Sequence, residues 1–161
     1  MWCKKRHISR VQYTKLNGKV GCRPSKAAKQ RFKDKIRKLT SRKRAGTFEE
    51  IVKRINQTTV GWINYYGIAN MKAFIKEIQG WLNHCLRQLI WKRWKQPKTR
   101  YTKLRQYGID HDDAMKTAHS RKGYWRLSRS EIIHRALTNE KLTKWGLKDL
   151  TKLYELRYLR D

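Results

Sequence analysis

The chain has 161 residues, and its 41 lysines and arginines against 12 aspartates and glutamates give it a formal charge of +29. Self-repulsion on that scale opposes a compact state unless a polyanion neutralises it, and a phosphate backbone gains affinity with every contacting cation. A composition of 39% hydrophobic residues, with seven Trp, eight Tyr and only two Pro, excludes a disordered basic tail and permits long helices.

In chain order, the first predicted element is a hairpin: Val11–Tyr13 and Val20–Cys22 flank Asn17-Gly18, the favoured pair for a tight turn. Ser25, after Pro24, is a candidate N-cap for a first helix whose Phe32, Ile36 and Leu39 fall at helical spacing. The basic loop Arg42-Lys43-Arg44-Ala45-Gly46 leads to Thr47-Phe48-Glu49-Glu50, a capping box. Behind it Phe48, Ile51, Val52, Ile55, Thr59, Trp62, Ile63 and Tyr66 share one face of a second helix, with Gly67 as its stop. A third helix over about 70–95 carries an unbroken apolar stripe from Met71 to Ile90. Pro97 ends that pattern. Shorter helices are expected beyond it, at 98–107, at 111–119 capped by Asp110, at 128–137 opened by Ser128-Arg129-Ser130-Glu131, and at 147–159 after Gly146. The fold class is therefore mainly α: a three-helix bundle preceded by a short β-hairpin and followed by a small helical C-terminal subdomain.

Catalytic constellations are sparse. No Tyr-x-Asp-Asp and no acidic pair on a strand is present to hold two metal ions. Asp110, Asp112 and Asp113 cluster at a predicted helix start, where carboxylates cap free N–H groups. The five histidines lack ligand spacing, so no metal and no cofactor is expected. Cys3, Cys22 and Cys85 form no CxxC and no paired framework, which suits free thiols in a reducing cytoplasm. Neither a signal-peptide core after Met1 nor a run of about 18 apolar residues appears, so a cytoplasmic chain without a membrane partner is expected.

The strong signal is basic and aromatic. Between Ile78 and Ile109 there is no acidic residue, yet Arg87, Lys92, Arg93, Lys95, Lys98, Arg100, Lys103 and Arg105 alternate with Trp91, Trp94, Tyr101 and Tyr107. Ser120-Arg121-Lys122-Gly123-Tyr124-Trp125-Arg126 repeats the theme, making Arg121, Lys122, Tyr124 and Arg126 further candidates. Guanidinium groups fork onto phosphates and aromatic faces stack on unpaired bases. Trp62 and Trp81 fit the core better than a binding surface, and Tyr65 fits either.

Several of these runs carry a family resemblance. Gly61-Trp62-Ile63-Asn64-Tyr65-Tyr66, Asn70-Met71-Lys72-Ala73-Phe74 and the Trp81–Trp94 helix resemble the maturase-specific region, domain X, of group II intron reverse transcriptases. Arg23-Pro24-Ser25 and the run from Phe32 to Thr40 fit the same region upstream. Lys98-Thr99-Arg100-Tyr101, Gly108-Ile109-Asp110, Arg121 to Arg126 and Leu137-Thr138-Asn139-Glu140 look like the C-terminal extension of bacterial members. The resemblance spans about 20–154. It implies a hairpin stub of the palm at 1–24, a helical thumb at 25–96 that binds intron RNA, and a DNA- or RNA-binding region at 97–161. It also places Arg42, Lys43 and Arg44 in the loop before the second thumb helix, as RNA contacts. The fingers and palm of that family would precede this region, so the chain itself is expected to bind rather than catalyse. Intron RNA is the implied partner, with target DNA and a separate palm-bearing chain as further ones. The competing readings are a general RNA- or DNA-packing protein and the thumb of a split reverse transcriptase.

Overall fold

The helices begin where capping chemistry is strongest. In the computed structural model, which describes residues 11–16, 19–41, 46–67 and 70–158, strands β1 (Val11–Leu16) and β2 (Lys19–Pro24) pair antiparallel, from Val11 opposite Pro24 to Leu16 opposite Lys19. The Asn17-Gly18 pair lies outside the described residues. Helix α1 (Lys26–Leu39) starts on Ser25, whose hydroxyl accepts the Ala28 N–H at 3.2 Å. Helix α2 (Phe48–Tyr66) starts on a reciprocal box, in which Thr47 accepts from Glu50 N–H and the Glu50 carboxylate accepts from Thr47 N–H. Each of these bonds satisfies a donor that the first helical turn leaves free. Helix α3 (Lys72–Arg93) has no side-chain cap of its own. The Met71 N–H instead donates to the Tyr154 hydroxyl, 83 residues away, at 3.3 Å.

After Pro97, which sits in the first turn of α4 (Pro97–Gln106), the elements shorten. Helix α5 (His111–Ala118) is capped by Asp110 as expected, its carboxylate accepting from Asp113 N–H at 3.1 Å. The expected helix 128–137 is revised. Ser128 is fully buried and closes a short helix α6 (Tyr124–Leu127), donating to Trp125 O at 2.9 Å. Ser130 is the cap of α7 (Glu131–Ala136), accepting from Ile133 N–H at 3.4 Å. Two serines two residues apart both fit a cap in sequence, and burial decides between them. Thr138 then caps an unexpected helix α8 (Asn139–Lys144). Helix α9 (Leu150–Tyr158) begins after Asp149, whose carboxylate accepts from Thr151 N–H and Lys152 N–H.

A single core runs through these elements. Ile36, Ile55, Ile63, Leu82, Leu86, Leu104, Ile133, Leu150 and Tyr154 all belong to one buried cluster. Helix α9 returns to pack on α3 and α2, while α6 and α8 also lie on α3. The turn at residue 97 therefore redirects the chain without dividing its core. Helix α3 is consequently surrounded: Leu82, Asn83, His84, Cys85, Leu86 and Arg87 are all buried in succession.

A stretch of helix buried on all sides, as 82–87 is, must satisfy its polar groups internally. Gln79, Asn83 and Arg87, one turn apart each, do so as a seam. Gln79 Nε2 donates to Asn83 Oδ1 at 2.8 Å, and Gln79 Oε1 accepts the Leu150 N–H at 2.8 Å. Asn83 Nδ2 donates to Asn139 Oδ1 at 2.9 Å, and Arg87 donates to Leu137 O and Asn139 Oδ1, both at 2.7 Å. Leu86→Ala is expected to cost about 2–5 kcal/mol of unfolding free energy. Arg87→Ala is expected to cost about 1–3 kcal/mol, because it strands the carbonyl of buried Leu137, while Asn139 Oδ1 keeps its bond from Asn83. Urea unfolding measures both, and an Arg87→Ala protein within about 0.5 kcal/mol of the parent would refute the seam.

Candidate nucleic-acid interface

The structure sorts the cations predicted to bind into two groups. Arg87 and Arg100 belong to the interior, which corrects their assignment to a free basic surface. Arg87 is 4% exposed and fully engaged in the seam. Arg100 is 8% exposed: its Nε donates to Trp94 O at 2.7 Å and its Nη2 to the Tyr124 hydroxyl at 3.3 Å. The same guanidinium lies over the rings of Trp91 (5.0 Å) and Tyr124 (5.5 Å). Tyr124 is thereby held half-buried as a partner of Arg100. Trp91 and Trp94 are buried as well, so the aromatics of this run serve the core more than the surface.

Lys92, Arg93, Lys95, Lys98, Lys103, Arg105, Arg121, Lys122 and Arg126 reach the surface wholly or in part. Arg93 donates to Gly46 O at 2.8 Å and Arg105 to Ile109 O at 2.9 Å, both neutral carbonyls. The ion pairs among the described residues are Lys33–Glu77, Arg37–Asp34, Lys72–Glu155 and Arg135–Asp113, none of which uses a predicted binding residue. Arg42, Lys43 and Arg44 lie outside the described residues.

One groove gathers parts of both predicted segments. About 450 Å³ in volume, it lies between α1, α3 and α6 and is lined by Arg37, Thr40, Ser41, Trp81, Cys85, Gln88, Lys92 and Trp125. Trp125 is 39% exposed, unusual for so large an apolar ring, yet it is firmly seated. The His84 ring packs against it at 3.6 Å between centroids, and the His84 Nε2 bonds to its carbonyl at 3.1 Å. Arg129 lies 5.9 Å from its ring. Across the groove, Arg37 lies over Trp81 at 5.7 Å while pairing with Asp34. No carboxylate lines this groove. Burial pushes the Cys85 thiol up to about 12, so it is a neutral floor and not a nucleophile. Gln88, Thr40 and Ser41 supply polar groups of both hydrogen-bonding senses.

Arg37, Gln88 and Trp125 were not among the residues expected at the site. They come from three helices far apart in sequence; Trp125 lies within the basic-aromatic run at 120–126, but no local pattern announces Arg37 or Gln88. Trp62 is half-buried within a ring cluster of Phe32, Tyr66 and Phe74, whereas Tyr65 is 49% exposed. Among the described residues no group of three His, Cys, Asp or Glu could hold a metal ion, and no helix is long and apolar enough to cross a membrane.

A mainly α, strongly basic fold built round one enclosed helix is the class these features define. Residues 29–108 match the family model of the group II intron maturase-specific domain. Over that span, from within α1 to just past α4, the chain is maturase-like, and the match supports a maturase-like role in group II intron splicing. No curated protein matches the chain.

The seat of Trp125 makes the fold sensitive to acid. Burial holds the His84 pKa below its ordinary value, with Arg129, His134 and Arg87 adding to the effect. His134 is lowered in the same way, by burial and then by Arg87. The unfolded chain therefore takes up these protons first. Stability is full above the ordinary histidine pKa of about 6.5 and is lost as pH falls through it toward the folded values. The melting temperature should thus drop between pH 7.5 and 5.5, and His84→Phe should flatten that dependence. An unchanged slope in His84→Phe would show that this histidine is not the sensor.

Proposed function

We propose that this chain binds group II intron RNA through its exposed cationic and aromatic surface, with the RNA supplying the splicing chemistry. The observation that carries the reading is the groove of Trp81 and Trp125. An exposed, rigidly seated indole stands there beside Lys92, which has no carboxylate partner among the described residues, on the flank of the segment that matches the maturase-specific domain. Stacking on the indole suits an unpaired base, and cations without internal partners suit the adjoining phosphates. Arg126, next in sequence to Trp125, together with Arg121 and Lys122, extends the positive surface toward the C-terminal helices. Those helices are where target DNA would be engaged, by the same phosphate chemistry. A palm-bearing partner chain, if it exists in the cell, would add polymerisation to an assembly in which this chain does none. The reading places the protein in the cytoplasm, where its RNA is made.

The test is competition binding of a structured group II intron against random RNA of equal length. Preference for the intron is expected, with affinity falling about a thousandfold between 50 and 200 mM salt if six or more phosphates are contacted. Lys92→Ala combined with Arg126→Ala should reduce the salt slope by about two and leave thermal stability nearly unchanged. Equal affinity for random RNA would instead mark a general nucleic-acid-packing protein. A flat salt response would remove the electrostatic basis altogether.

A further inference from the structure

A second hollow lies on another flank of the last turn of α3, lined by Arg93 where the first groove is lined by Lys92. About 260 Å³ in volume, it is lined by Phe48, Glu49, Ile90, Arg93, Trp94, Lys103, Tyr107 and Trp145. Four aromatic rings from four different parts of the chain converge there. Phe48 meets Trp145 edge-on at 6.0 Å, Tyr107 meets Trp145 at 6.2 Å, and Trp94 stacks with Tyr107 at 6.0 Å. Lys141 also packs on Tyr107, its ammonium 4.3 Å from the ring and anchored to Ala136 O at 2.7 Å.

The polar groups at this hollow are few and differently placed. Arg93 spends one Nη2 bond on Gly46 O and forms no carboxylate ion pair among the described residues, which leaves further donors of its fork for a ligand beside Glu49. Lys103 reaches only Gln106, at 3.2 Å. Glu49, in the first turn of α2, is kept ionised by backbone and Thr47 hydrogen bonds and by Arg93. The Tyr107 hydroxyl has no hydrogen bond among the described residues, and burial keeps it protonated and able to donate.

We propose that this hollow is a receptor for a single unstacked nucleotide of RNA, its base enclosed by Phe48, Tyr107 and Trp145 and its phosphate held by Arg93 and Lys103. Three features select that occupant. Flat aromatic walls suit a heterocycle, because every base presents a π-face. Two cations at the mouth demand an anion attached to that heterocycle, which an apolar peptide side chain lacks. Glu49 accepts and Tyr107 donates, a pairing that the edge of a base bearing both an amino group and a ring nitrogen or carbonyl satisfies. The occupant is confined to unpaired RNA, because a base within a duplex cannot leave its stack without unpairing. The inference rests on the RNA-binding reading but not on which RNA is preferred.

The experiment uses the full chain and two probes, a single-stranded hexaribonucleotide of mixed sequence and the same hexamer paired within a longer duplex. Trp145→Ala should weaken binding of the single strand about tenfold, while Trp145→Phe retains most of it. Duplex binding should change less than about twofold in both. Because Trp145→Ala also removes core contacts, a second measurement is made on the unaltered protein. A hexamer carrying 5-iodouridine, irradiated in the complex, should crosslink to peptides containing Tyr107 or Trp145. Equal loss of single-strand and duplex binding, or crosslinks that fall elsewhere, would overturn the receptor. So would no binding of the hexamer at all. If the unaltered protein fails to prefer intron RNA but still crosslinks at Tyr107 or Trp145, the intron assignment fails and the receptor stands.

Discussion

Everything beyond the first three helices hangs on the polar seam along α3. In its buried middle, α3 has no solvent to turn its polar side chains toward, and Gln79, Asn83 and Arg87 are each committed to a group brought in by the C-terminal half. Arg87 is the extreme case, because its charge is buried against neutral oxygens with no carboxylate to offset it. Burial alone favours its neutral form, yet a guanidinium does not give up its proton in a protein. Only a well-formed set of carbonyl and amide acceptors makes that tolerable. The seam thus dictates where Leu137, Asn139 and Leu150 must lie, and through them the positions of α8 and α9.

The arrangement divides the chain's positive charge by task. Arg100, like Arg87, uses its planar fork and its affinity for aromatic faces to tie elements together, with Trp91 and Tyr124 as its platforms. Lysine does so less often, Lys141 over Tyr107 being one case. The last turn of α3 then directs neighbouring residues to different flanks, Lys92 toward the groove of Trp125 and Arg93 toward the hollow of Trp145. With about 100° between successive residues, one turn of helix is enough to serve two faces. Burial of Trp91 and Trp94 beneath them holds that turn in place.

Where the sequence was informative, the signal was local. Ser25, Thr47 and Asp110 cap their helices, and the apolar spacing of Phe32, Ile36 and Leu39 or of Ile51, Ile55 and Ile63 places the core. The mainly α fold follows from these alone. What stayed hidden depended on partners far along the chain. Arg87 reads as a surface cation because its acceptors lie 50 and 52 residues away and are uncharged. Ser128 reads as a cap because nothing nearby reveals that Trp125 O needs its hydroxyl. Of the candidate site, the basic character and Lys92 could be found in the sequence, whereas Arg37 and Gln88 required the packing of α1 on α3.

The dependence of α3 on Tyr154 has a consequence for the order in which the protein takes shape. A ribosome releases the first three helices long before it has made α9, so the start of α3 waits without the hydroxyl that accepts its Met71 N–H. During that interval the face that will receive Leu150 and Tyr154 is bare, and Gln79 lacks the Leu150 N–H that donates to it. Such a nascent chain is basic, sticky and only partly knit together, the kind of species that aggregates when it meets its own copies. Nucleic acid near the site of synthesis would meet this intermediate first, and a polyanion could screen its charge while the last helix is still being made. Translation that stops short of α9 leaves not a smaller version of the protein but one arrested before its central helix is closed.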